Sequence, residues 1–196
     1  METEEKARKY AEENGCILIH PYNDRDIIKG QGTIGIEIQD QLPEVDTVLA
    51  PIGGGGLISG LCSYFDDDKV HVIGCQPVNA SEMYESVQCG TIVSPSNRTT
   101  IADATAGGIE KDSLTFDICK NQLDGFELIY ENEIKEAIAF IVQNHKTIIE
   151  PGAALPVAAL LRSQKYQGRN VVLVLSGKKI NHQLLTEILD NYGNSD

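Results

Sequence analysis

DTVLAPIGGGGLISG, residues 46–60, joins an apolar run to four consecutive glycines and then to a second apolar run. Fixing a glycine costs more backbone entropy than fixing any other residue, so four in a row within hydrophobic sequence need a reason. A flexible linker would surround them with Ser, Thr or charge. Here Val48, Leu49 and Ile52 precede them, and Leu57, Ile58 and Leu61 come after. Both flanks fit a strand over residues 47–52, a tight turn, and a helix from Leu57 onward. In a parallel α/β sheet such turns lie at the carboxyl ends of strands, where ligands bind. Glycines let backbone N–H groups approach a ligand without Cβ interference, and the helix N-terminus adds partial positive charge, so the site suits a phosphate. No Lys-Ser/Thr pair comes after the glycines, which excludes the P-loop of nucleoside triphosphatases. Gly53, Gly55 and Gly60 also miss the GxGxxG spacing of a dinucleotide site. A phosphate on a smaller ligand is the sharper expectation, and a plain tight turn is the alternative.

The rest of the chain repeats the alternation. Cys16–Ile19, Thr47–Ala50, Val70–Cys75, Phe126–Tyr130 and Val171–Leu175 read as strands. All but Phe126–Tyr130 are apolar on both faces, as strands covered by helices on either side must be. Asp26–Gln41, Asn132–His145, Ala153–Leu161 and Asn181–Leu189 carry helical spacing, with Asn181 placed to cap the last. The expected fold is α/β, three layers around a largely parallel twisted sheet. Thr91–Gly108 is polar and irregular, and such a loop is either functional or a surface crossing.

Composition narrows the classes of function. The 196 residues suffice for one sizeable domain. A net charge of −13 disfavours a nucleic-acid surface, which would need clustered Lys and Arg. The acidic run at 66–68 reads as a solvated loop after a helix. No apolar run approaches the ~20 residues that span a membrane, and the charged N-terminus lacks a secretory core, so a cytoplasmic protein is expected. Five cysteines without a CxxC pair exclude a zinc knuckle and point to free thiols, three of them within apolar core segments.

Four motifs narrow the reading further. HPYND at 20–24 leads into IKGQGTIGIE at 28–37; PIGGGGLISG occupies 51–60; TIADATAGG spans 100–108; and EPGAA at 150–154 precedes VVLVLSG at 171–177. Together these resemble the C-terminal part of the serine/threonine dehydratase and serine racemase family. Its members are fold-type II enzymes dependent on pyridoxal 5′-phosphate (PLP) and related to the tryptophan synthase β chain. The resemblance runs in order from about residue 3 to residue 190.

The resemblance implies PLP as cofactor, a small amino-acid substrate and the large-domain part of that architecture. Residues 1–15 would be a helix returning from a small domain, and residues 16–196 an incomplete cofactor-binding domain. Gly53, Gly54, Gly55 and Gly56 would donate to the cofactor phosphate, with Leu57 the last residue of the cradle. Ser176 would face the pyridine nitrogen, where a neutral hydroxyl tempers the electron sink. Glu150 would lie near the cofactor. A divalent cation such as Mg2+ would bind near Gln76, Ala80 and Glu82, more weakly than in serine racemases because Gln76 replaces a carboxylate.

The resemblance also implies what lies elsewhere. The family's Schiff-base lysine sits in an upstream SerPheLysxArgGly segment, and none of the eleven lysines here matches it. The chain by itself is therefore expected to lack catalytic residues. The substrate-gripping loop is upstream too, leaving serine against threonine, and elimination against racemisation, open. Two departures fall within the motifs: Lys178-Lys179 comes directly after Ser176-Gly177, and Ala104 stands where the family has glycine, a strain if that backbone needs positive φ. One expectation is a portion of a PLP-dependent ammonia-lyase or racemase. The other is a non-catalytic truncated paralogue that binds a phosphate ligand or docks on a full-length relative. Apolar faces on helices 26–41 and 56–64 would then favour oligomers.

Overall fold

The chain's architecture comes from a computed structural model that describes residues 2–66, 69–94 and 98–193. In chain order, α1 (Glu2–Asn14) and α2 (Arg25–Gln41) precede β1 (Thr47–Pro51) and α3 (Gly56–Tyr64). β2 (His71–Pro77), α4 (Glu82–Cys89), α5 (Leu114–Gln122) and β3 (Gly125–Ile129) come next. α6 (Glu131–His145), α7 (Pro151–Arg162), β4 (Val171–Leu173) and α8 (His182–Tyr192) complete the fold. The strands stand in the order β3-β2-β1-β4, and every pairing is parallel.

Alternation along β1 explains why the sheet is covered on both sides. Leu49 points into one core with Ile73 and Cys75, closed by Ile134, Ile138, Leu155 and Ile188 of α6, α7 and α8. Val48 and Ala50 point into the other, with Val72, closed by Ile38, Ile58, Leu61 and Phe116 of α2, α3 and α5. All five residues of β1 are buried, as a central parallel strand requires. Polar caps set the helix starts. Asp24 accepts from the N–H groups of Asp26 and Ile27 ahead of α2, and Asn181 accepts from Gln183 and Leu184 ahead of α8.

The structure corrects several expectations. Cys16–Ile19 forms no strand, and its Ile17 and Ile19 are 93% and 75% exposed. An apolar run becomes a strand only beside a neighbour that takes its N–H and C=O groups, and among the described residues this run has none. β4 is half-buried and stops at Leu173, because it forms an edge of the sheet and Leu175 has already left it. α4 and α5 went unseen in the sequence, being short and mixed in polarity. The Thr91–Gly108 stretch contains one 3-10 turn, Asp103–Thr105, while residues 95–97 lie outside the described residues, as do Asp67 and Asp68 of the acidic run.

Ala104 sits in that turn without positive φ; among the described non-glycine residues only Asp112 and Lys146 have it. The strain expected of Ala104 therefore does not arise. Helices α2 and α3 pack on each other, leaving Ile36 and Tyr64 partly exposed. Cys62, Cys75 and Cys119 are buried, as their apolar surroundings suggested. Among the described residues no helix is long and apolar enough to cross a membrane.

Candidate functional site

The chain leaves the sheet just beyond β1, where the Ile52 N–H still donates to the Cys75 carbonyl at 2.9 Å. Gly53, Gly54 and Gly55 make the turn, and Gly55 is the N-cap of α3 with φ +92°. A glycine cap offers no side-chain acceptor, so the first N–H groups of the helix stay uncapped. Among the described residues, the N–H groups of Gly53, Gly54, Gly55, Gly56 and Leu57 donate to no backbone or side-chain acceptor. Five such donors at one helix N-terminus have the chemistry that an anion requires.

The neighbours behind the turn show why side chains are excluded there. A Cβ at Gly54 would lie 2.3 Å from Cδ1 of Tyr22, and one at Gly56 would lie 3.0 Å from the Tyr22 Cα. At Gly55 it would meet the Thr115 Cβ at 2.8 Å and the Met83 Cε at 2.9 Å. The Tyr22 ring is itself held from behind, its hydroxyl accepting the Glu110 N–H at 3.0 Å. Burial pushes its phenol up to about 12, so it stays protonated at neutral pH.

Glu110 organises the polar layer beneath. It accepts from Arg8 at 2.9 Å and from Asn23 at 3.2 Å, and the His20 Nε2 lies 3.0 Å from its Oε2. The His20 Nδ1 accepts two backbone N–H groups, from Tyr22 and Asn23, so the ring proton sits on Nε2 and faces Glu110. Burial pushes the Glu110 carboxyl up, but the hydrogen bonds from Asn23, His20 and Arg8 outweigh it and hold the group below the usual carboxylate range. The HPYND turn and the glycine turn are thereby locked to the same layer.

The opposite wall comes from β4 and α7. Glu150, the N-cap of α7, donates its N–H to the Gly177 carbonyl at 3.1 Å, and its Oε2 accepts the Lys179 N–H at 3.2 Å. A Cβ at Gly177 would fall 2.3 Å from that carboxylate, which accounts for a glycine after Ser176. One cavity of about 340 Å3 brings together Gly53, Gly54, Gly55, Gly56, Leu57, Glu150 and Ser176, with Tyr22, Ala104, Thr105 and Gly152 also on its wall. A second cavity of about 510 Å3 shares Ala104, Glu150 and Gly152 and adds Lys179.

The residues expected to hold a cation do not form an oxygen-rich shell. Gln76, at the end of β2, accepts the Tyr84 N–H on Oε1 at 2.9 Å and donates from Nε2 to the Ile52 carbonyl at 3.4 Å. The Glu82 Oε1 accepts the Ile109 N–H at 3.3 Å, and Ala80 ends a 3-10 turn. Mg2+ and Ca2+ need six or more oxygens, while these side chains serve backbone donors and one backbone carbonyl instead. Among the described residues no group of three His, Cys, Asp or Glu is placed to hold a metal. The donor set does not fit a hard cation.

Sequence reasoning assigned no role to Thr115, Glu110 or Tyr22. Tyr22 belongs to a motif already singled out, and its neighbours His20 and Asn23 were visible there. Thr115 gave no signal, being a lone threonine at the start of a short helix.

Comparison with known proteins identifies the family and the fold. The model of the family described as pyridoxal-phosphate dependent enzyme matches residues 1–177. An L-threonine ammonia-lyase of Thermotoga maritima is 37% identical over 191 residues, 96% of this chain and 47% of that protein. A serine racemase of Dictyostelium discoideum is 34% identical over 95% of this chain and 59% of its own length. Among solved structures, the processed form of threonine deaminase isoform 2 from Solanum lycopersicum superposes with a TM-score of 0.88 at 33% identity, covering 96% of this chain and 56% of that one. Maize serine racemase gives 0.84 at 28% identity, over 96% of this chain and 60% of that one. The chain thus spans about half the length of the relatives it matches.

Proposed function

Because this chain belongs to the pyridoxal-phosphate dependent enzymes, we propose that it is the C-terminal, phosphate-gripping portion of a serine/threonine ammonia-lyase (dehydratase) or of a serine racemase-like enzyme. The observation that carries this reading is the row of five backbone N–H groups, Gly53 to Leu57, without acceptors among the described residues, at the end of the central strand. These donors hold the cofactor phosphate, and hydrogen bonds to an ionised acceptor are about twice as strong as neutral ones. When bound, pyridoxal phosphate supplies an electron sink for charge developing at an amino-acid α-carbon.

The chain's own residues bind and orient. Ser176, on the cavity wall, would offer a neutral hydroxyl to the ring nitrogen of the bound cofactor and so temper the electron sink it supplies. Glu150 orients the turn that carries Ser176, through the Gly177 carbonyl and the Lys179 N–H. Tyr22 and Glu110 keep the cradle from shifting under load. On this reading the lysine that anchors the cofactor aldehyde comes from outside these residues, since none of the eleven lysines lies in the SerPheLysxArgGly segment that the resemblance implies. Residues 1–15 then connect to a small domain, and residues 16–196 are part of the large one. A small hydroxylated amino acid as substrate, a cytoplasmic site of action and association with further copies belong to the same proposal. The names of the relatives support the substrate class.

One observation favours the second reading, a non-catalytic subunit that binds a phosphate ligand or a full-length relative. Lys179 lines the cavity adjoining the cradle, a cation that the resemblance does not imply there. Titration with PLP and with phosphate-free pyridoxal, followed by borohydride reduction and peptide mapping, tests both readings. Saturable PLP binding, at least about tenfold tighter than pyridoxal and without a stoichiometric pyridoxyl-lysine, is the expected result. Equal affinity for the two ligands refutes the cradle. A single stoichiometric adduct on Lys179 shows that the anchoring lysine is resident after all.

A further inference from the structure

Thr115 lies in the first turn of α5 and is fully buried, yet its hydroxyl reaches across 61 residues to donate to the Gly54 carbonyl at 2.6 Å. Its Oγ1 also lies 2.8 Å from the Ser113 Oγ, and Ser113 is buried too. A hydroxyl has one proton to give. Since a carbonyl can only accept, the Thr115 proton is committed to Gly54, and Ser113 must be the donor to Thr115. The hydrogen-bond chain therefore runs from the Ser113 O–H to the Thr115 O–H to the Gly54 carbonyl.

That carbonyl belongs to the peptide joining Gly54 to Gly55. No peptide bond in the described residues is cis, so the Gly55 N–H points opposite to the Gly54 C=O. Neither Thr115 nor Ser113 lines the cavity, whereas Gly54 and Gly55 both do. The Gly55 N–H therefore points away from Thr115, from a residue on the cavity wall. Thr115 also bounds the Cα face of Gly55, whose φ of +92° places any added Cβ against the threonine. Without the hydroxyl, a four-glycine turn has little to stop this peptide from rotating. Hydrogen bonding at a carbonyl also polarises its amide and strengthens the N–H as a donor.

We propose that Thr115, fed by Ser113, is a positioning residue for phosphate binding: it fixes the Gly54–Gly55 peptide so that the Gly55 N–H is aimed at the cofactor phosphate. The role rests on the cradle reading above and adds to it a residue that never touches the ligand. It also explains a polar pair in an apolar setting, where Val or Ala would pack with no desolvation cost.

The test compares PLP with phosphate-free pyridoxal on the full chain, for the unmodified protein, Thr115→Val and Thr115→Ser, with thermal melts to confirm folding. The expected result is a loss of about tenfold or more in PLP affinity for Thr115→Val, pyridoxal unchanged, and recovery to within about threefold in Thr115→Ser. Loss of both ligands alike, or PLP binding unaffected by Thr115→Val, overturns the role. If the unmodified chain does not prefer PLP to pyridoxal, the cradle reading itself has failed, a separate outcome. Should Thr115→Val not fold, amide shifts in the unmodified protein decide. On adding inorganic phosphate, the Gly55 amide must move among the most; if Gly53 and Gly56 respond and Gly55 stays still, the proposal is wrong.

Discussion

Thr47–Pro51 and Cys16–Ile19 are both short and largely apolar, yet they end in opposite environments. The first is the buried β1, with parallel neighbours on each side. The second leaves Ile17 and Ile19 exposed and pairs with no strand among the described residues. What separates them is position. β1 has Leu49 in one core and Val48 in the other, so each side chain removes water from a helix face. The 16–19 segment is anchored at its ends instead, by the Cys16 N–H on the Ala11 carbonyl and by the polar layer of His20, Asn23 and Glu110. Apolar character predicts that a segment needs a partner, and says nothing about whether the partner is present.

Replacing Gly55 with Val should give the largest effect on this contrast. Positive φ for a β-branched residue and overpacking against Thr115 and Met83 together cost about 2–6 kcal/mol, to be read from urea unfolding. An unchanged midpoint would mean that the turn behind β1 is not tightly packed. Leu49→Ala comes next, at about 2–5 kcal/mol, because the residue is fully buried and its site is walled by three helices.

Acidification should act on the other region first. The Glu110 carboxyl is held below its ordinary range, so its contribution to stability is complete above about pH 4.3, the unfolded value, and is lost as pH falls through the folded value. Amide exchange tracked between pH 6 and pH 3 should show residues 20–24 losing protection before β1 does. Simultaneous loss would mean that the two regions are one cooperative unit. The smallest effect is expected from Ile17→Ser, within about 0.5 kcal/mol, since the side chain is already in water. A loss well above that in the isolated chain would show that Ile17 is covered in solution, by another copy.

Much of the fold was legible because its signals are local. Apolar runs on two faces marked β1 and β2, Asn181 marked the start of α8, and the glycines marked the end of β1. The site was legible as motifs, and one cavity does gather the glycine turn, Glu150 and Ser176. The cation residues show the limit of that reasoning. Gln76 and Glu82 sit near each other in sequence, but folding directs both to backbone groups. Whether a carboxylate or amide faces a cavity or a peptide depends on elements far away in the chain.

By itself, the sequence determined that this protein alternates strands and helices and places a side-chain-free turn where a parallel strand meets a helix. Composition and spacing suffice for that, because burial period and backbone freedom are properties of neighbouring residues. Only the tertiary structure decided that Cys16–Ile19 stays outside the sheet, that Gly177 makes room for the Glu150 carboxylate, and that Thr115 holds the Gly54 carbonyl across 61 residues. Each of these depends on which distant atoms share a few ångströms of space, and that is set by the packing of whole elements.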